Sequence, residues 1–267
     1  MDSRLPEPQE VTSDYGDSIT TSEFTSDNTV HPLHFYEHGR RYQGFIQGRY
    51  GMPNDDAEQL REGVKHKLYV DYILGGGLFL APIGDNPQKI VDLGTGFGFW
   101  ALDVAERFPS ARIIGTDLSP VQPHWTPPNV EFRVEDLDDE FRPWTNIYHD
   151  ADLIHLRFLL PTIRWPRTLL QRCLENLKPG GWAEVHDIVP VTFSDDGTAG
   201  DDHPVHALYR LIEGPFSRLY GWNFQVPSDV ADMLRELGFV NVTIHAQHDW
   251  IDVWAQKPPL QVAPDNP

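Results

Sequence analysis

A short apolar run followed by closely spaced glycines, between residues 89 and 100, constrains this fold more than any other feature. Ile90, Val91 and Leu93 favour a β-strand, and glycines at positions 94, 96 and 98 separate it from a helical pattern. A strand, a glycine turn and a helix N-terminus let the backbone approach a ligand closely. This pattern predicts a ligand site at the turn, whereas the alternative is a glycine-rich turn without a ligand.

Two details of the turn indicate the kind of ligand. A dinucleotide fingerprint would need its third glycine at position 99, where Phe99 stands. Asp92 precedes the glycines, and a carboxylate there suits a ligand with an ammonium group better than a phosphate. S-adenosylmethionine (SAM) has an amino-acid end and no phosphate, and the turn resembles motif I of the class I SAM-dependent methyltransferases. The resemblance implies that SAM contacts Asp92, Gly94, Thr95, Gly96 and Gly98.

The segments after the turn continue an alternation of strands and helices. This alternation predicts an α/β, Rossmann-like fold with a seven-stranded, mostly parallel sheet and an antiparallel pair of strands at its C-terminal end. Apolar residues at helical spacing after Asn54 or Asp55, either of which can cap a helix, predict an N-terminal helical extension. The predicted strands are residues 89–93, 112–117, 129–134, 151–158, 182–189, 240–246 and 250–255.

Changes in composition divide the chain into segments. Residues 1–28 contain many Pro, Ser, Thr and Asp and almost no apolar periodicity, so we expect a disordered acidic arm. One methyltransferase domain is expected over residues 29–257, followed by a loose tail at 258–267. Its predicted parts are an N-terminal cap (29–87), a cofactor-binding core (88–189), a lid or substrate insertion after the fifth strand (190–227) and a C-terminal helix and hairpin (228–257).

Acidic residues at the ends of two strands are the next candidates for the site. Asp117, followed by Leu118, closes the second strand, where a carboxylate can accept both hydroxyls of an adenosine ribose. The alternative is that Asp117 only caps the next turn. Asp136 and Leu137 follow the third strand, where an acid commonly binds the adenine amino group and an apolar side chain packs on the ring. The alternative for this acidic stretch is a solvated loop.

Three further side chains lie near the C-terminal ends of the fourth and fifth strands. His155 and Arg157 are placed at the edge where ligands bind in open parallel sheets, although a histidine there can equally be a core residue. We expect both to contact SAM. His155, together with Glu184 and His186 on one face of the fifth strand, is a candidate general base.

Charge and cysteine content exclude several classes of protein. The chain has 21 basic and 40 acidic residues, a net charge of −19, which argues against direct binding of nucleic acid. No apolar run approaches the ~18 residues of a membrane span, and we expect no signal peptide. Cys173 is the single cysteine, which excludes a cysteine-based zinc site. We expect no metal and a cytosolic or nuclear location.

Several motifs agree in order and spacing with one family. They are residues 36–42, 53–55, 94–100, 115–123, 127–130, 154–157 and 177–182. On these motifs the chain resembles the LaeA-like methyltransferases of fungi, a branch of the class I SAM-dependent fold. That family contains enzymes that methylate small metabolites and regulators of secondary metabolism. The resemblance therefore implies SAM as cofactor and a small-molecule acceptor, with a regulatory protein partner or methylation of a protein as alternatives.

Aromatic and basic side chains are dense between Thr29 and Tyr42, outside the segment that a class I core needs. We hypothesise that this segment closes over bound cofactor, with Tyr42 against the ribose or adenine. The alternative is that Phe35, Tyr36 and Tyr42 only cover an apolar patch on the core.

Overall fold

The computed structural model describes residues 34–139, 144, 147–189, 203–247 and 250–260. The predicted acidic arm, the first part of the predicted insertion and the end of the tail lie outside these described residues. Within them, no helix has both the length and the apolar character that crossing a membrane requires.

The regular elements largely follow the predicted order. The strands are β1 (His34–Glu37), β2 (Arg40–Gln43), β3 (Lys89–Leu93), β4 (Arg112–Asp117), β5 (Val130–Val134), β6 (Ala151–Arg157), β7 (Leu177–Ile188), β8 (Val240–Gln247) and β9 (Trp250–Gln256). The α-helices are α1 (Asp56–Leu68), α2 (Phe99–Arg107), α3 (Pro166–Asn176), α4 (Pro204–Tyr220) and α5 (Val226–Leu237). A π-helical turn (Tyr69–Ile73) continues α1, and a 3₁₀ turn (Leu160–Thr162) follows β6.

Seven of the strands form one sheet in the order β5-β4-β3-β6-β7-β9-β8. The first five are parallel, β9 runs antiparallel to β7, and β8 runs antiparallel to β9. This arrangement confirms the predicted α/β fold. The strand order reverses between β3 and β6, and in open parallel sheets the crevice at such a reversal is where ligands bind.

Helices cover both faces of the sheet. Trp100 and Val104 of α2 pack on one face with Ile113 of β4. Leu170 of α3 and Val230 of α5 belong to the core on the other face. Each fully buried side chain of this size contributes about 1.5–3 kcal/mol, so burial on two faces fixes β3 and β6 at the centre of the molecule.

The N-terminal cap contains a hairpin that the sequence did not predict. β1 and β2 pair through a turn at His38 and Gly39, whose φ angles are 50° and 74°. Two positive φ angles are typical of a tight hairpin turn. Arg40 then donates to both carboxylate oxygens of Asp55, at 2.5 and 3.0 Å, and Asp55 accepts the N–H of Glu58 at 3.1 Å. Asp55 is thus the N-cap of α1 and also attaches the hairpin to that helix.

α1 is oriented opposite to its apolar pattern. The apolar stripe, which includes Leu60, Val64 and Leu68, is exposed, and the buried side chains of the helix are Glu58 and His66. A stripe of this kind normally faces a core. Here the polar face is turned inward because its partners lie at the end of the sheet, as described below.

Two boundaries near the C-terminus also differ from expectation. β7 begins at Leu177 rather than at residue 182, and its pairing with β6 is irregular across the glycines at 180 and 181. α5 begins at Val226, two residues before the expected cap Ser228, because Pro227 suits the first turn of a helix. Gly238, with φ 96°, ends α5 as expected.

Candidate active site

An open cleft with about 1190 Å³ of empty space, its mouth included, lies at the C-terminal ends of β5, β4, β3 and β6. α1 and the loop before it form its opposite wall. The lining comprises residues 49, 50, 53 and 54 and four positions of α1 (58, 62, 65 and 66). It also includes residues 92, 94–97, 99 and 100 in and around the glycine turn, 117–119 and 121 at the end of β4, 135–137 after β5, and 155, 157–159, 162 and 163 at the end of β6 and beyond it.

The glycine turn forms an open cradle in this cleft. Gly94 and Gly96 have φ angles of 70° and 56°, which non-glycine residues rarely adopt. A Cβ atom on Gly96 would meet no atom within 4 Å, so its backbone faces free space. Gly98 has a different task, because it caps α2 and a Cβ there would lie 2.6 Å from the ring of Phe132. Gly98 is not part of the cleft lining, and its predicted contact with SAM stays a prediction.

Asp92 lies at the base of the cradle and is 3% exposed. It accepts the Thr95 hydroxyl at 2.6 Å, and its other oxygen is 2.7 Å from Nδ1 of His155. Burial raises the pKa of Asp92 to about 6, against the opposing effect of the Thr95 hydrogen bond. The carboxylate is thus ionised at neutral pH and available to an ammonium group.

His155 is enclosed between Asp92 and an aromatic wall. Its ring stacks on Trp100 with centroids 3.6 Å apart. Burial lowers the pKa of His155 well below its usual range, so the ring is neutral and donates from Nδ1 to Asp92. Nε2 is then an acceptor, and it is buried without a hydrogen-bond partner in the part of the chain that is described.

Asp117 performs one of the two tasks weighed for it from the sequence, the capping of the next turn. Its carboxylate accepts the N–H of Ser119 at 2.9 Å, which caps the turn after β4, and the N–H of Gly96 at 2.9 Å, which fixes the cradle. It also lines the cleft, as does Leu118. Burial raises the pKa of Asp117 to about 6. The ribose contact stays a prediction, with the carboxylate correctly placed to make it.

The acidic stretch after β5 contributes three residues to the cleft wall. Glu135 is buried and accepts the hydroxyl of Tyr148. Asp136 accepts the N–H of Asp138 at 3.0 Å and lies 3.7 Å from Nε of Arg49, and Leu137 is buried beside it. Both acids line the cleft, so the prediction that Asp136 and Leu137 bind the adenine remains open to test.

Arg157 is held by a histidine that sequence reasoning missed. Nη2 of Arg157 lies 2.8 Å from Nδ1 of His66, and Nε2 of His66 lies 2.9 Å from Asp103. Because an arginine can only donate, Nδ1 of His66 accepts and Nε2 carries the proton. Nη1 of Arg157 has no hydrogen-bond partner among the described residues. The available signal was the polar face of α1, where positions 58, 62, 65 and 66 recur at helical spacing.

Glu184 and His186 do not reach the cleft, and both are 0% exposed. Glu184 accepts the N–H groups of Leu80 and Ala81 at 2.7 and 2.8 Å. His186 lies 2.7 Å from Glu184 and 2.8 Å from Asp252, and these two acids raise its pKa although burial alone would lower it. We correct their predicted role as general bases, because a group that is walled off from the cleft cannot take a proton from a ligand in it.

Tyr42 also lies away from the cleft lining. It faces Phe35 across the hairpin, with ring centroids 5.4 Å apart. Asn54, which does line the cleft, connects the hairpin to the core, because its side-chain amide is 3.3 Å from both His34 and Ser119. The structure thus brings the cap to the site through Asn54, and a contact of Tyr42 with SAM stays a prediction.

The fold and the site together define a class I SAM-dependent methyltransferase. Residues 65–244 match the model of the methyltransferase domain family, and the chain belongs to that family. It is 37% identical over 260 residues to "Methyltransferase pytC" of Aspergillus terreus, a match that covers 96% of this chain and 78% of that protein. It is 33% identical over 213 residues to "Secondary metabolism regulator LAE1" of Cochliobolus heterostrophus, covering 78% of this chain and 68% of that protein.

Solved structures of low sequence identity share the fold. An O-methyltransferase family protein from Burkholderia thailandensis superimposes with a TM-score of 0.52 at 16% identity, over 76% of this chain and 61% of that chain. Human N-acetylserotonin methyltransferase in complex with SAM gives a TM-score of 0.50 at 18% identity, over 79% and 64% of the two chains.

The residues of the cleft fit SAM on the evidence of their own geometry. The cradle at Gly96 is open, the ionised Asp92 suits an ammonium group, and Asp117 presents a carboxylate for hydroxyls. Bound SAM supplies a methyl group activated by its sulfonium. What the protein contributes is orientation of the reacting groups inside a walled site.

Proposed function

We propose that this protein methylates an oxygen, nitrogen or carbon atom of a small metabolite of the kind made in secondary metabolism. The observation that carries this proposal is the second wall of the cleft. α1 places Glu62, Lys65 and His66 opposite the cofactor residues, so an acceptor must fit between this wall and the sheet. Concave sites of this kind suit small molecules. The similarity to a protein named methyltransferase over nearly the whole chain supports the same reading.

Catalysis in such a site is mainly positioning. Asp92 and Asp117 hold the two ends of the cofactor. The cradle between these residues fixes the distance between the two ends along the edge of the sheet. A general base is needed only for an acceptor that is poorly ionised. Of the three predicted bases, His155 alone lines the cleft, and its low pKa suits acceptance of a hydrogen bond better than removal of a proton.

A second candidate function is a regulatory module that acts through protein partners in the cytosol or nucleus. Its support is the similarity to a protein named secondary metabolism regulator. Methylation of a protein lies between the two candidates. Neither alternative explains the walled cleft as directly as a small acceptor does.

Purified protein incubated with methyl-labelled SAM and a native fungal extract tests the proposal. We expect label in the low-mass fraction, and much less label when the Asp117→Ala variant replaces the natural protein at the same concentration of SAM. Label in protein would favour protein methylation. A stoichiometric protein partner without any labelled product would favour the regulatory module. Absence of binding of both SAM and S-adenosylhomocysteine at millimolar concentration, measured by calorimetry, would refute the enzyme.

A further inference from the structure

The far end of the cleft contains a charged subsite beyond the residues predicted to bind the adenine, the ribose and the ammonium group of SAM. Those residues lie at the ends of β5, β4 and β3, and the next strand in the sheet is β6. Arg157 and Phe158 lie at the end of β6, and Lys65 of α1 lines the cleft with them. We call these three residues the acceptor end. The inference drawn from them rests on the proposed function, because it concerns the acceptor of that reaction.

Phe158 is held in a strained conformation that directs its ring. Its φ angle is 54°, a region that is uncommon for a bulky side chain and often marks functional sites. The backbone is fixed there by a hydrogen bond from the N–H of Phe158 to the carbonyl of His186, at 2.9 Å. Tyr69 and Trp250 pack against the ring with centroids 5.7 and 5.6 Å away. The ring is therefore a rigid part of the cleft wall.

Two cations share this ring. Nζ of Lys65 lies 4.1 Å from the centroid of Phe158, and the guanidinium carbon of Arg157 lies 6.0 Å from it. Cations over an aromatic face are attracted to it, yet two cations at one ring repel each other. Burial lowers the pKa of Lys65, and Arg157 acts in the same direction.

The acids near these cations neutralise them incompletely. Glu62 lies 2.8 Å from Lys65 but is shared with Arg61. Asp187 also interacts with Lys65, but burial raises the pKa of Asp187 to about 7, so it carries only part of a charge at neutral pH. Asp92 attracts Arg157, but the hydrogen bonds of its carboxylate go to Thr95 and His155 and not to Arg157. Nη1 of Arg157 is left without a hydrogen bond in the described structure.

We propose that the acceptor end binds a planar, aromatic or conjugated acceptor through its carboxylate or ionised phenol, with Lys65 as the residue that selects for the negative charge. An anion between Lys65 and Arg157 relieves the repulsion of the two cations and gives Nη1 a partner. Phe158, with Phe97 and Phe99 of the glycine turn, provides flat apolar walls for the rest of the molecule.

A carboxylate at this place has two possible sources, since the amino-acid end of the cofactor carries one as well. Arg157 cannot distinguish the two sources, because it is also predicted to contact the cofactor. A variant of Lys65 can distinguish them. If the acceptor supplies the anion, removing the charge of Lys65 lowers affinity for the acceptor and leaves affinity for the cofactor product unchanged.

Calorimetry with salicylate and its uncharged analogue salicylamide tests the proposal on full-length protein saturated with S-adenosylhomocysteine. The variant is Lys65→Met, which keeps the apolar stem beside Phe158. The matched control is Lys67→Met, since Lys67 lies on the exposed side of the same helix. We expect the natural protein and Lys67→Met to bind salicylate at least about tenfold more tightly than salicylamide, and Lys65→Met to lose this preference.

Each other outcome is informative. Failure of the natural protein to bind S-adenosylhomocysteine would refute the proposed function itself. Normal binding of S-adenosylhomocysteine without a preference for salicylate, or without any binding of salicylate at millimolar concentration, would overturn only the acceptor end. A Lys65→Met variant that loses affinity for S-adenosylhomocysteine but keeps the preference would assign the anion to the cofactor. Circular dichroism of each variant confirms that it is folded.

Discussion

At the scale of single residues, Asp117 fixes the cradle and is predicted to bind the ribose of the cofactor. If it does, replacing it by Ala removes an acceptor of charge-assisted hydrogen bonds, and we expect affinity for S-adenosylhomocysteine to fall by about 1.5–3 kcal/mol, roughly ten- to hundredfold. Calorimetry measures the loss. Asp117→Asn keeps one acceptor oxygen and is expected to lose less. A folded Asp117→Ala protein with unchanged affinity would place the ribose contact elsewhere.

Cofactor affinity and stability are expected to respond to pH in opposite directions. Burial raises the pKa of both Asp92 and Asp117 from 3.8 to about 6. The folded protein therefore keeps protons that the unfolded chain has already lost, so the contribution of these two groups to the free energy of unfolding falls as pH rises from about 4 to about 6. The ammonium group needs Asp92 ionised, so affinity for S-adenosylhomocysteine should fall as pH drops below about 6.

Calorimetry and denaturant titrations at several pH values between about 4 and about 8 measure these two trends. Asp92→Asn should bind more weakly at all of these values and lose much of the pH dependence of binding. An affinity that stays constant across the range in the natural protein would contradict the assigned role of Asp92.

The sequence predicts those site residues whose position follows from a strand end. Asp92, Asp117 and Asp136 belong to this group, and all three line the cleft. It does not predict His66, because the partners of His66 are Asp103 and Arg157, far away in the chain. Alternation along β7 correctly placed Glu184 and His186 on one face, but it could not show that the cap covers that face.

At the scale of elements, the glycine turn allows a matched comparison. An alanine must adopt a φ of 56° at position 96 and of 77° at position 84. At both positions the added Cβ atom meets no atom within 4 Å. Both Gly96→Ala and Gly84→Ala should lose about 1–2 kcal/mol of stability. Only Gly96→Ala should also lose affinity for S-adenosylhomocysteine, because only Gly96 lines the cleft. Equal affinities of the two variants would exclude the cradle as the cofactor site.

α1 shows where pattern and environment disagree. A helix start at Asn54 or Asp55 was predictable from local signals, and Asp55 is observed as the cap. The orientation of α1 was not predictable. The apolar stripe indicates a buried face, whereas Leu60 is 72% exposed and Val64 is 62% exposed. The polar face is the more strongly determined one, since His66 lies 2.9 Å from Asp103 and 2.8 Å from Arg157, both distant in the chain. The spacing of polar residues indicates that such a face exists, but not which distant residues it contacts.

At the scale of the whole molecule, the sheet could be predicted and the attachment of the cap could not. Apolar runs bounded by turns define strands locally, and handedness rules then limit their order. The cap is attached instead by pairs of distant residues, such as Arg49 with Asp138 and His66 with Asp103. Such pairs become visible only once the chain is folded.

Another attachment, between the cap and strands β7 and β9, gives the last prediction. Tyr69, in the π-helical turn after α1, is 0% exposed, and its hydroxyl contacts Asp252 and lies 2.6 Å from Nδ1 of His186. Tyr69→Phe removes a hydrogen bond to a charged group, so we expect a loss of about 1.5–3 kcal/mol and a lower Tm, at roughly 2–4 °C per kcal/mol for a chain of this size. Tyr72→Phe, in the same turn but 76% exposed, should leave the Tm unchanged. Affinity for S-adenosylhomocysteine should be nearly the same in both variants, because neither tyrosine lines the cleft. Equal melting of the two variants would show that this buried network does not hold the cap to the sheet.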